Sequence, residues 1–548
     1  MAQSLMIQGT GSGVGKSLIV TAMCRIFKDM GIDVAPFKAQ NMALNAYVTK
    51  EGGEIGVAQA LQARAARIEP EIDMNPILLK PSGEAGVQIV VHGKVHSTMQ
   101  SKGYYGFKNY ALKAVRSSFE RLSKSHELII MEGAGSPAEI NLMKNDIVNM
   151  AMARYANAPV LLVGDIDKGG VFASFYGTIE LLKDYTNRKA HHTKDGETPS
   201  ISLIRGRSQD ADYINAFIIN KFRGDLDLLK PGLKMIETKT GRPVIGVIPY
   251  VRDIGLTEED GASLEAIQNS IRGNPCGYPQ GYKSVIKIVV VKLQYISNFT
   301  DFEPFYYEPD VELVYSNNPS DIAQADMVII PGTKNTMDDL TFLKRIGLVE
   351  AVKSAYAKGI QIIGMCGGYQ MLGKTLYNPY SIEGKIKRLN GIGILNIKTV
   401  FQKDKITSQV EAKIVNGSAL GVKGWEDTGL KGYEIHHGVS TGDIGLFRLR
   451  RVTPQGTDTP LFRKGRMGGS DTPDGSKNKN CFGTYIHGIF DNDKFRRVIL
   501  NGIRIKKGLK PLKHIYSYTK TQDEAIDRFA DIVKQHLDME FLKRLIRV

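Results

Sequence analysis

Short apolar runs bounded by Gly, Asp or Asn recur through the first half of the chain: LMIQG, ELIIMEG, APVLLVGDID, INAFIINKF and RPVIGVIPY. Segments with helical spacing of apolar positions, such as SLIVTAMCRIFKDMG and FASFYGTIELLKDY, lie between them. This alternation predicts an α/β domain on a mainly parallel sheet. A second series begins at VIKIVVVKL and continues through ADMVIIPG, IQIIGMCGG and KGYEIHHG, ending near CFGTYIHGIF. The stretch NSIRGNPCGYPQGYKS between the two is dense in Gly and Pro, which puts a domain boundary there. The expected division is a first domain over 1–267, a linker over 268–284, a second domain over 285–505 and a closing helical segment over 506–548. Two polar stretches, RKAHHTKDGETPS and GRMGGSDTPDGSKNKN, are expected to be surface loops.

A chain of 548 residues is too long for one hydrophobic core, so two or three domains are expected, and 42% apolar residues can fill them. No stretch approaches the roughly 20 apolar residues of a membrane span, and no basic segment leads into a long apolar one at the start. A cytoplasmic protein without membrane contact is expected. Four cysteines, Cys24, Cys276, Cys366 and Cys481, are too few and scattered for a disulfide framework, and none pairs as CxxC. The net charge of +15 comes from scattered Lys and Arg rather than a tract, which argues against nucleic acid and suits a polyanionic small molecule.

The stretch GTGSGVGKS, residues 9–17, follows an apolar strand and opens an amphipathic helix. In that context backbone N–H groups and a helix N-terminus hold phosphates, Lys16 meets the outer phosphates and the Ser17 hydroxyl meets Mg²⁺. Thr10 stands where the first glycine of the usual pattern would be; Thr10, Gly13, Gly15, Lys16, Ser17 and Asn220 are the nucleotide-binding candidates. Ligands sit beyond the carboxyl ends of strands in open α/β sheets. Glu132 and Asp165 fall there and join Ser17 as Mg²⁺ candidates. Asp146, in NDIVNM, and Lys38, at the end of the second strand, are weighed as catalytic groups against a helix cap and a surface charge.

The second half carries a different chemistry. Cys366 lies between an apolar strand and two glycines that open a helical pattern, a strand-turn-helix elbow that exposes a nucleophile where thiolate is favoured. His487, His436 and His437 are all candidates for its base, and spacing does not choose among them. The backbone N–H groups of Gly332 and Gly367 are candidate oxyanion donors. Cys24, Cys276 and Cys481 read as small buried hydrophobes.

Together GTGSGVGKS, FKAQNMALN, MNPILLKP, MEGAGSPAEINL, GDIDKGGVFA, PGTKNT, MCGGYQ, GYEIHHG and GTYIHG resemble the cobyric acid synthase family of glutamine-dependent amidotransferases, in order and over almost the whole chain. The resemblance implies a P-loop NTPase-like domain similar to the dethiobiotin synthetase group, followed by a class I glutamine amidotransferase domain of flavodoxin-like α/β fold. It implies ATP- and Mg²⁺-dependent amidation of the b, d, e and g carboxylates of adenosylcobyrinic acid a,c-diamide, with glutamine as nitrogen donor. Carried over, Cys366 matches the glutaminase nucleophile and His487 its base. Many class I glutaminases have Glu two residues after that His; Ile489 stands there, so the resemblance is to the dyad subgroup. Two alternatives stay open: a sibling such as cobyrinic acid a,c-diamide synthase, and a partition-type ATPase with an inactive glutaminase-like module. A homo-oligomer is compatible with the sequence.

Overall fold

The computed structural model describes residues 2–81, 86–99, 104–192, 209–252, 254–256, 285–415, 429–452 and 471–547. The first half is built on a six-stranded, wholly parallel sheet ordered Val244–Pro249, Ile214–Phe222, Val160–Asp165, Gln3–Gly9, Leu128–Glu132, Val34–Phe37. Gln3–Gly9 thus lies centrally, between the strands that end in Glu132 and Asp165. The chain leaves it into a loop whose Gly13 and Gly15 have φ of 71° and 97°, a region that an L side chain adopts only with strain. Helix Lys16–Asp29 starts directly after Gly15.

The second half holds another six-stranded sheet, ordered Val311–Ser316, Ile286–Val291, Met327–Ile330, Gln361–Met365, Cys481–Thr484, Ser476–Asn478. All its pairings are parallel except that of the final edge strand. Both halves therefore have the expected α/β class.

Two expectations need correction. KGYEIHHG is not part of the parallel series: strand Leu430–Gly442 pairs antiparallel with Ile397–Ile414 in a separate sheet. The missed signal is the alternation in IKTVFQKDKITSQVEAKI, where long stretches show every second residue buried, as in a sheet covered on one face. The polar stretch GRMGGSDTPDGSKNKN is not wholly a loop, because Thr472–Asp474 and Ser476–Asn478 are strands. Its polar character is satisfied internally, since buried Asp474 accepts from the Thr484 hydroxyl at 2.5 Å. The first polar stretch is helical through His192; its remainder, the linker 268–284 and Cys276 lie outside the described residues.

The C-terminal helices divide between the halves. Helix Asp493–Lys506 buries Phe495, Leu500 and Ile503 in the second core. Helices Tyr518–His536 and Met539–Ile546 return to the first, where Ile526, Phe529, Val533, Leu542 and Ile546 pack in the core of helix Lys16–Asp29. Leu537 bridges to Gly246, where a Cβ would lie 2.3 Å from its Cδ2. The halves also meet directly: Ala43, Ala46, Val48, Leu78 and Val90 form an apolar cluster with Ile435. Beside it, Asn298 accepts from the Ala46 N–H at 3.3 Å, and Asn45 accepts from the Phe299 N–H at 3.1 Å.

Candidate active site

At the first site the parallel register delivers Glu132 to the start of helix Lys16–Asp29. Its Oε1 accepts from the Ser17 hydroxyl at 2.8 Å and from the Lys38 ammonium at 2.7 Å, and its Oε2 accepts from Gln62 at 2.6 Å. Glu132 is 1% exposed, so this charge is held in a largely dry cluster where its partners are needed. Lys16 donates to the Gly11 carbonyl at 2.8 Å, folded back over the loop. The Thr10 N–H is tied to the Val163 carbonyl at 2.9 Å. Asn220 donates to the Val14 carbonyl at 2.9 Å and Lys221 to that of Gly13 at 2.7 Å, bracing the loop from the adjacent strand. Asp165 is buried 3.6 Å from Lys221.

Asp146 is differently engaged. Its carboxylate accepts from the N–H groups of Val148, Asn149 and Ala151 at 2.8–2.9 Å, so it satisfies the start of helix Met150–Tyr155, the capping role weighed above. Gln59, Gln62 and Lys221 escaped the sequence reading. The three-residue spacing of the glutamines in AQALQ puts them on one helix face, but nothing local says that the face meets Glu132.

The second site is built around Cys366, the residue between strand Gln361–Met365 and helix Gly367–Leu372. Its φ of 49° is a strained value for a side chain bearing a Cβ, as a sharp nucleophile turn requires. The elbow fits only because Gly368 follows closely: a Cβ there would lie 1.9 Å from the Ile330 carbonyl oxygen. Gly332 packs beside the same turn, and its absent Cβ would be 3.2 Å from His487 Cε1 and 3.7 Å from Cys366 Cβ. The Gly332 carbonyl is engaged by the Ser297 N–H at 3.0 Å.

All three histidines line the cavity at Cys366, and His487 is the one that also faces a carboxylate, Asp301. His487 Nδ1 lies 2.7 Å from Asp301 Oδ2, and Asp301 Oδ1 accepts from the Gly488 N–H at 3.0 Å. Among the described residues no nitrogen or oxygen partner meets its buried Nε2, and the Cys366 thiol lies beside it. Burial disfavours the imidazolium, but the Asp301 carboxylate and the Cys366 sulfur outweigh it and raise His487 to about 10. The third member, which the sequence leaves open because Ile489 follows the histidine, has a carboxylate at hand: Asp301, 186 residues upstream, is the acid beside His487. His436 stacks on Tyr485 with its Nδ1 2.7 Å from the Gly438 carbonyl. His437 has Nδ1 3.2 Å from the Gln402 carbonyl, and burial together with Lys405 and Lys334 pushes it down to about 3. Cys24 and Cys481 are buried free thiols whose burial raises them far above the usual range.

Residues 5–264 match the family described as the CobQ/CobB/MinD/ParA nucleotide binding domain, and residues 287–495 match the CobB/CobQ-like glutamine amidotransferase domain. The chain is 46% identical to a cobyric acid synthase of Thermodesulfovibrio yellowstonii, covering 98% of both chains. It is 41% identical to one of Syntrophobacter fumaroxidans, covering 100% of this chain and 99% of the relative, and 44% identical to one of Thermoanaerobacter sp., covering 98% of both. With both halves matched and the likeness running end to end, the chain belongs to the cobyric acid synthase family, glutamine-dependent, amide-forming ligases of cobalamin biosynthesis.

Proposed function

We propose that the protein amidates the b, d, e and g carboxylates of adenosylcobyrinic acid a,c-diamide, activating each with ATP and taking nitrogen from glutamine. The observation that carries this is that one chain holds both a phosphate loop with Glu132, Lys38 and Ser17 at its helix start and a Cys366–His487–Asp301 constellation. A carboxylate cannot expel hydroxide easily. Its oxygen therefore attacks the γ-phosphorus of ATP, ADP leaves, and the resulting acyl phosphate loses phosphate when ammonia adds to its carbon. Lys16 and Lys38 stabilise charge on the transferred group. Ser17, Glu132 and Asp165 are the residues that would hold Mg²⁺, which when bound neutralises phosphate charge. The donor set fits such an ion, being hard oxygens at two strand ends and one helix start. Among the described residues no group of three His, Cys, Asp or Glu side chains could hold a metal unaided, so phosphate oxygens would complete the shell.

At the other site the Cys366 sulfur attacks the glutamine amide carbon, with the Gly332 and Gly367 N–H groups receiving the oxyanion. The C–N bond breaks as His487 gives its proton to the departing ammonia, and water then hydrolyses the thioester to release glutamate. Asp301 keeps the imidazole ring oriented and supports its charge. An ammonia source inside the enzyme supplies the neutral amine, which is scarce in water near neutral pH.

A sibling reaction on the a and c carboxylates is the nearest competing function. ATP hydrolysis measured with glutamine and either adenosylcobyrinic acid a,c-diamide or cobyrinic acid discriminates them. The diamide should stimulate turnover, with up to four amides added per molecule by mass spectrometry. Stimulation by the undiamidated acid alone would establish the sibling, and none by either would leave a partition-type ATPase.

A further inference from the structure

The cavity at Cys366 is walled mostly by the glutaminase half, but Leu44 and Lys80 reach it from the nucleotide-binding half. Lys80, on strand Ile77–Pro81, is 4% exposed and donates to Glu54 Oε2 at 2.5 Å. The other oxygen of Glu54 accepts from Lys405, which belongs to the glutaminase half. Lys334, on the same cavity wall, donates to Gln88 of the nucleotide-binding half at 2.8 Å. Three ammonium groups from two halves thus converge where Glu54 and Glu383 are the neighbouring carboxylates.

Lys80 is buried and Lys334 and Lys405 are half-buried, so a carboxylate brought among them meets little competition from water. Burial lowers Lys80 to about 8, opposed by Glu54 and reinforced by Lys405, and burial with the repulsion of Lys405 and Lys80 lowers Lys334. Glu383 accepts from the Thr336 N–H at 2.6 Å and is raised by burial, with Lys334 opposing. A free amino acid carries the matching pair of charges. With its amide carbon at the Cys366 sulfur, the α-carbon of glutamine lies three carbons further out, where one carboxylate and one ammonium need partners. We propose that Lys80, together with Lys334, binds the α-carboxylate of glutamine while Glu383 takes its α-ammonium, so that the nucleotide-binding half completes the glutamine site.

This inference rests on the glutaminase reading above and adds to it that recognition depends on a side chain from the other half. A deamidating pocket need only admit an amide; a lysine across the domain boundary makes productive binding conditional on the docked, two-domain enzyme.

The test uses the full-length protein and two reagents that alkylate Cys366. One is 6-diazo-5-oxo-norleucine, which keeps the α-carboxylate and α-ammonium of glutamine; the other is iodoacetamide, which has neither. Lys80→Met should lower the second-order rate with the amino-acid reagent by on the order of tenfold to a hundredfold, the effect of losing one hydrogen bond to a charged group. Its rate with iodoacetamide should change by no more than about twofold. Lys405 still pairs with Glu54 in that variant; Lys80→Gln, which can hydrogen-bond Glu54, serves if Lys80→Met does not fold, with the same direction expected. Unchanged labelling by both reagents, or an equal fall in both, would overturn the role of Lys80. Wild-type Cys366 that reacts with iodoacetamide but never with the amino-acid reagent would instead overturn the glutaminase reading and this inference with it.

Discussion

The phosphate site and the thiol site of this chain are assembled in opposite ways. The first is largely local: nine consecutive residues supply the turn, the helix start, Lys16 and Ser17, and the neighbouring strand adds Glu132. The second is gathered from Asp301, Gly332, Cys366 and His487, which lie in four separate segments of the chain, with Lys80 and Leu44 arriving from the other half. Holding phosphates is mainly a task for backbone N–H groups, which one turn can provide. Moving a proton between a thiol and a leaving amine needs side chains at fixed separations, which separated segments must deliver.

Loss of the histidine beside Cys366 is expected to act most strongly on a single site. His487→Asn should lower glutamine hydrolysis by roughly 10²–10⁴-fold by removing the proton carrier, whereas His436→Asn should act through folding, since His436 is stacked on Tyr485. A glutaminase assay on folded proteins checks both. Lys16→Ala should lower amidation by about 10²-fold or more with glutamine and with ammonium alike, because it acts on carboxylate activation rather than nitrogen supply. Amide formation followed with each nitrogen source tests it; unaffected turnover would make the loop merely structural.

Asp301→Asn alters the carboxylate that reaches the thiol site from far upstream in the chain. Its carboxylate raises His487, so His487 holds its proton up to about pH 10 and would lose it at lower pH without Asp301. Glutaminase activity should fall by roughly tenfold to a hundredfold and its alkaline limb should move towards neutral pH. A limb that stays in place would remove Asp301 from the mechanism. The smallest effect is expected at Arg64, which bonds Asp523 of the closing helix at 2.9 Å from a partly exposed position. Arg64→Ala should cost about 1 kcal/mol in denaturant unfolding, as exposed pairs do.

Legibility in the sequence follows the same division. Parallel strands, the phosphate loop and the Cys366 elbow are written in contiguous patterns, and the structure has them. Asp301 has no local signature, because SNFTDFEPFY shows neither the spacing nor the neighbours of a catalytic acid. It meets His487 only because the 3₁₀ helix Phe299–Tyr307 packs against the segment carrying that histidine. Asp146 shows the converse: an acid beside a nucleotide-binding pattern proves to hold backbone N–H groups. The return of helix Tyr518–His536 to the first core was equally hidden, since amphipathic spacing states that a face is buried but not against what.

In the proposed reaction two separate sites share one chain, one making ammonia and the other consuming it. Cys366→Ala tests it most directly, assayed for amide formation on the corrinoid diamide with glutamine and, separately, with a high concentration of ammonium. Glutamine should no longer support amidation in this variant while ammonium still does. A folded Cys366→Ala protein that binds ATP yet forms amide from neither source would contradict it.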